Sequence, residues 1–171
     1  MHKKITAFIL LIIGVSVVGI VLLICNSDKP GTDEIYLIPD GYTGCVSIFY
    51  DVKNASPLEI KDKVITYKIP EDGILRASSN ETFGWGQKEH SGWHETKYYY
   101  VDREGNKVRK LIEYEDIHSI GNTGDSFKDE DGTINDVSYH KFFIGTEEEA
   151  EKSGSCSKVY TEDLLREIYY R

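Results

Sequence analysis

Two patterns of apolar residues divide the chain. Residues 5–25 (ITAFILLIIGVSVVGIVLLIC) form one continuous apolar run, with 17 of 21 positions apolar and none charged. At 1.5 Å rise per residue, a helix of that length spans roughly 30 Å, the hydrocarbon thickness of a bilayer. Beyond it, apolar residues come in short bursts separated by turn chemistry. EIYLI (34–38) ends at Pro39-Asp40-Gly41, CVSIFYD (45–51) at Lys53-Asn54, and KVITYKI (63–69) at Pro70-Glu71-Asp72-Gly73. Bursts this short, rich in Val, Ile, Thr and Tyr, suit strands and not helices. Proline presets φ for the turn, and glycine supplies the positive φ.

The same reading predicts a short strand over 74–77 and a last strong strand over 137–144 (VSYHKFFI). Residues 97–102 and 107–114 predict a hairpin around Arg103-Glu104-Gly105-Asn106. Residues 82–95 (TFGWGQKEHSGWHE) and 121–135, rich in glycine and polar side chains, read as loops. Near the C-terminus the period changes. Thr146 with Glu149 makes a capping box ahead of a short helix. Thr161 caps EDLLREIYYR, whose Leu164, Leu165, Ile168 and Tyr169 share one face. The fold class expected is mainly β, an antiparallel β-sandwich or small barrel, with a short helical tail. One internal echo is visible: Tyr36-Leu37-Ile38-Pro39-Asp40-Gly41 repeats as Tyr67-Lys68-Ile69-Pro70-Glu71-Asp72-Gly73, which reads as two equivalent strand-end turns.

Charge sharpens the division. The chain of 171 residues carries a formal charge of −9, and residues 29–171 alone carry −10. Nothing there would offset phosphate repulsion, so nucleic acid is not an expected partner. Lys3 and Lys4 should hold the N-terminus in the cytoplasm and send the rest outward. The organisation is therefore a cytoplasmic N-terminus (1–4), a single-pass transmembrane helix or uncleaved signal anchor (5–25), a linker (26–33) and an extracytoplasmic β-domain (34–171). A cleaved signal is disfavoured because the apolar run is long and no small-x-small site precedes Asn26. Lipid attachment at Cys25 is the third reading. Leu22 suits such a signal, whereas Ile24 stands where a small residue is normal.

Candidate chemistry is sparse. Cys45 and Cys156 fall in the outer part, where they form either a disulfide or two separate thiols. His90 and His94 are weak metal candidates in a glycine-rich loop, with no third ligand at a defined spacing. No metal or cofactor is expected. Asp129-Glu130-Asp131-Gly132 places its glycine too early for a calcium loop and reads as a solvated acidic turn. No Gly-x-Ser-x-Gly elbow or phosphate-binding glycine loop is present, so catalysis is not expected. Trp85, Trp93, Tyr98 and Tyr100 stand in or beside the glycine-rich loop, where aromatics can form a stacking platform for a sugar or peptide.

The runs YLIPDGYTGCVSIFYD, YKIPEDGILRAS, KYYYVDREGNKVRKL and VSYHKFFIGTEEEAEK together resemble a family of small Gram-positive envelope proteins. It is catalogued as domain of unknown function 6843, and the likeness covers roughly residues 34–152. The resemblance implies a lipoprotein or membrane-anchored protein with one such domain; no catalytic residues follow from it. The first half also resembles β-sandwich modules related to transthyretin. The function expected is a non-enzymatic envelope interaction module, held in the membrane by its own helix, whose partner is an envelope protein or polymer. The alternative is a carbohydrate- or peptide-binding domain using the Trp/Tyr-rich loop. An envelope hydrolase ranks last.

Overall fold

The computed structural model describes residues 29–154, 156 and 160–170. The apolar run 5–25 lies outside them, and no helix among the described residues is long and apolar enough to cross a membrane. The elements are β1 (Asp33–Pro39), β2 (Gly44–Phe49), β3 (Ile60–Lys61), β4 (Val64–Lys68), β5 (Ile74–Arg76), β6 (Thr96–Val101), β7 (Lys107–Leu111), β8 (Ile117–Lys128), β9 (Ile134–Ile144), α1 (Glu147–Lys152) and α2 (Glu162–Tyr170).

The strands form two sheets, ordered β3-β4-β1-β6-β7 and β5-β2-β9-β8. Both are mixed. β1 lies parallel to β4 and to β6, and β2 lies parallel to β5. The antiparallel arrangement expected from sequence is therefore corrected. A short apolar burst carries no record of strand direction, and the excursions between paired strands are long enough for parallel crossovers. The internal echo becomes a physical pair, since Tyr36 of β1 stands in register with Tyr67 of β4, but the two turns differ. Gly41 (φ +75°) is the third residue of a turn closed by Tyr42 N–H to Pro39 O, whereas Gly73 (φ +75°) is the fourth residue of its turn and donates to Pro70 O itself. Gly73 is doubly required, since a Cβ there would lie 2.0 Å from the Tyr42 hydroxyl.

Side-chain alternation assigns the two faces of the second sheet. Val46 and Ile48 of β2 and Phe142 and Ile144 of β9 join Tyr36, Ile38, Ile65, Tyr67 and Tyr98 of the first sheet in one core. Phe49, Val137 and Tyr139 point the other way, onto Leu165 and Ile168 of α2. Period two along each strand thus builds a core on one face and a helix-covered cluster on the other. The capping box of α1 is formed, with Thr146 Oγ1 accepting from the Glu149 N–H and the Glu149 carboxylate accepting from the Thr146 N–H. Residues 121–135, expected as a loop, instead pair as the long β8–β9 hairpin turning at 129–132. Glycine, serine and aspartate hide that strand signal, because every second residue of β8 from Ile120 to Lys128 faces water and does not need an apolar side chain.

Candidate functional site

The core does not close at one end. There a cavity of ≈ 160 Å³ is lined by Glu34 and Tyr36 of β1, Tyr50, Glu81, Trp85, Ser91 and His94 of the connecting loops, Asn122 of β8 and His140 of β9. Glu34 and Tyr36 are two apart on one strand, so their side chains share a face. His140 has the same parity as Phe142 and Ile144, which places an imidazole in line with the core rather than on the outer surface.

Behind Tyr36, which lines the cavity, stands a tyrosine ladder. The Tyr36 ring stacks on Tyr67 at 4.5 Å between centroids and on Tyr98 at 4.8 Å. Phe142 closes the stack edge-on at 5.4 Å. The Tyr36 hydroxyl donates to Glu34 Oε2 at 2.9 Å, and the Tyr67 hydroxyl donates to Glu34 Oε1 at 3.2 Å. Burial pushes both phenols, and that of Tyr50, well above the ordinary tyrosine range, and the Glu34 carboxylate raises all three further. They therefore remain protonated donors, and Glu34 is oriented on both oxygens while keeping further acceptor capacity.

Across the cavity, His140 Nδ1 lies 2.6 Å from Asn122 Oδ1. That pairing puts the proton on Nδ1 and leaves Nε2 as an acceptor. Desolvation pushes the ring down to about 4, so it is neutral at physiological pH. The unfolded chain binds a proton at this histidine below its ordinary value of 6.5, whereas the folded chain does not until about 4. Stability at this residue is thus complete above 6.5 and is lost as pH falls toward 4. We expect about 3 kcal/mol of pH-dependent loss across that window. Denaturant titrations at stepped pH should show it, and His140→Gln should flatten that part of the profile. An unchanged slope in the variant would contradict a neutral, half-buried imidazole.

The loop over residues 77–95 is held against the start of β1 by backbone pairs. Gly31 N–H donates to Trp93 O, Thr32 N–H to Gly84 O, and Glu34 N–H to Glu95 O. A Cβ on Gly31 would lie 2.2 Å from Ser91 O, so the glycines of this region permit main-chain contact. Trp85 and His94 thereby reach the cavity, and His94 Nδ1 sits 3.0 Å from Gly92 O.

The sequence candidates divide accordingly. Trp85 and His94 line the cavity, whereas His90 is exposed and Trp93 is 78% exposed. Tyr98 and Tyr100 are buried core residues, 3% and 8% exposed, so the expected four-aromatic platform is not assembled. Strand alternation turns these two inward and leaves Tyr99 between them on the outer face. Among the described residues no group of three histidine, cysteine or acidic side chains could hold a metal. Cys45 and Cys156 are joined in a disulfide, with Cα atoms 5.6 Å apart. Cys25 lies outside the described residues. Glu34, Tyr36, Tyr50, Glu81, Asn122 and His140 are not legible in sequence as site residues, although the Tyr36/Tyr67 echo and the parity of His140 carry part of the signal.

Comparison with known proteins bears on the fold and family alone. A family model described as "Family of unknown function (DUF6843)" matches residues 30–153. No curated protein matches the chain. The crystal structure of a "Putative Lipoprotein from Bacillus anthracis" superposes with a TM-score of 0.54 at 22% identity, covering 80% of this chain and 94% of that one.

Proposed function

Because the chain belongs to DUF6843, a family of unknown function, we propose its role from the cavity itself: a membrane-anchored, extracytoplasmic, non-enzymatic module that binds one small polyhydroxyl group, of the size of a single sugar ring. The observation that carries this reading is the convergence of Trp85 with Glu34, Glu81, His94, Asn122 and His140 on ≈ 160 Å³. That is the share of about five waters in the liquid, so the cavity seats part of one sugar ring and leaves the rest at its open mouth, with no room for a polymer. An aromatic face beside fixed acceptors and donors suits a sugar, whose apolar face stacks while its hydroxyls hydrogen-bond.

Anchoring is supported by the uncharged run at residues 5–25, read as one N-in transmembrane helix with Cys25 as the alternative lipid site. The likeness to the Bacillus anthracis lipoprotein structure supports the same placement, and a disulfide suits an oxidising exterior. The two sheets, read as the layers of a β-sandwich, would present their open end toward the anchor. Gly31, whose Cβ would lie 3.5 Å from His94 Nδ1, is six residues from Cys25, a reach of at most about 20 Å.

Calorimetry on the full chain in detergent, titrated with N-acetylated and neutral monosaccharides and their methyl glycosides, tests the reading. We expect saturable binding that Trp85→Ala or Glu34→Gln weakens by about tenfold or more, the scale of one lost stacking or charged hydrogen-bond contact. Heat changes identical in both variants would place any binding elsewhere.

A further inference from the structure

A second concavity lies away from the cavity, where an edge of each sheet is left open. β3 is two residues long and covers only Val64 and Ile65 of β4, while β5 is the terminal strand of the other sheet. The β3–β4 connection is a two-residue turn, with Asp62 and Lys63 at φ 53° and 64°. The Ile69 N–H donates to Leu37 O, toward β1. Alternation therefore turns the N–H and C=O groups of Thr66 and Lys68 to the opposite side, where no strand follows among the described residues. A groove of ≈ 560 Å³ runs along this edge, within the usual range of ligand sites. Its apolar lining is Pro57, Leu58, Val64 and Leu75, and its charged lining is Lys61, Lys68 and Arg76 against the single carboxylate Glu59.

The charges are unusual for this molecule. On a chain of net charge −9, three cations gather at one groove. Neither Lys61 nor Lys68 has an ion-pair partner among the described residues. Arg76 lies 3.8 Å from Asp72, its Nη1 donates to Ile74 O at 3.2 Å, and its buried Nε has no hydrogen-bond partner among the described residues.

We propose that this groove binds an extended acidic peptide segment of a partner protein, which adds to the open edge of β4. Main-chain hydrogen bonds to Thr66 and Lys68 supply the backbone docking, as in strand addition to a sheet edge. Alternate side chains of the segment fall on Leu58 and Leu75, and its carboxylates meet Lys61, Lys68 and Arg76. Exposed lysines also serve to keep sheet edges apart, and the experiment separates that role from binding.

The full chain, in detergent and labelled with ¹⁵N, is titrated with a capped six-residue peptide alternating glutamate with valine, and in parallel with its lysine–valine counterpart. The expected result is saturable shifts centred on the Thr66 and Lys68 amides, slowed exchange there, and affinity that falls as salt rises. Lys61→Glu/Lys68→Glu should weaken binding by about tenfold or more without changing the near-ultraviolet circular dichroism. The proposal is overturned if the acidic peptide does not bind, in which case the lysines guard the edge. It is equally overturned if the lysine peptide binds as well, if the charge-reversed variant binds unchanged, or if the same amides shift on concentrating the chain alone. None of these outcomes bears on the monosaccharide cavity.

Discussion

Loss of the Cys45–Cys156 bond is expected to lower the stability of the domain by about 4–5 kcal/mol, the chain-entropy value for a loop of this length. The bond spans a sequence separation of 111 residues, so it closes the chain from β2 to the segment after α1. Its two ends are structurally distinct. Cys45 stands on β2 on the face opposite Val46 and Ile48, and Cys156 lies between α1 and α2. Both pack with Phe143 and Ala150, so the bond ties the helical tail to the strand that the tail covers. Tyr160 makes a parallel attachment, its hydroxyl donating to Ser47 Oγ at 2.7 Å. A Cys45→Ala/Cys156→Ala variant should melt roughly 10–20 °C below the oxidised parent, and the reduced parent should match the variant. Thermal unfolding that is indifferent to reductant would show that the tail docks without the bond.

Tyr36→Ala should cost about 3–5 kcal/mol, the range for emptying a buried aromatic site. Tyr36 is 2% exposed and joins both sheets to the cavity. Its ring stacks on β4 and β6 neighbours and meets Phe142 of the second sheet, while its hydroxyl fixes Glu34. Tyr36→Phe separates these contributions. It keeps the stack and removes one hydrogen bond to a carboxylate, for a loss of about 1.5–3 kcal/mol. Denaturant midpoints of the two variants should therefore differ clearly. Equal losses would mean that the hydroxyl, not the ladder, holds the sheets together.

Tyr36 also illustrates what the chain discloses in one dimension. The Tyr-x-Ile-Pro echo marks two strand ends that each turn at a proline, and their strands prove to be parallel neighbours with tyrosines in register, although the glycine is third in one turn and fourth in the other. Apolar bursts locate β1, β2, β4, β5, β6, β7 and β9, and the threonine caps locate both helices. Strand direction is not legible, because alternation is the same read either way. β8 escapes notice because an edge strand facing water satisfies its ladder without an apolar sequence. The cavity is legible only in part. Trp85 and His94 announce themselves by type, but Glu34, Asn122 and His140 are ordinary residues until folding brings them within one volume. Tyr98 and Tyr100 mislead for the converse reason: a run of tyrosines looks like a platform, yet its alternate members build the core.

The most direct test of the cavity as a ligand site uses the chain's two tryptophans. Trp85 lines the cavity and Trp93 is exposed, so a Trp93→Phe variant reports from the cavity alone. In that variant, the monosaccharide that binds by calorimetry should shift the Trp85 emission to shorter wavelength, saturably and with the same dissociation constant. Saturable calorimetric binding with no change in Trp85 emission would contradict the assignment of the ligand to this cavity.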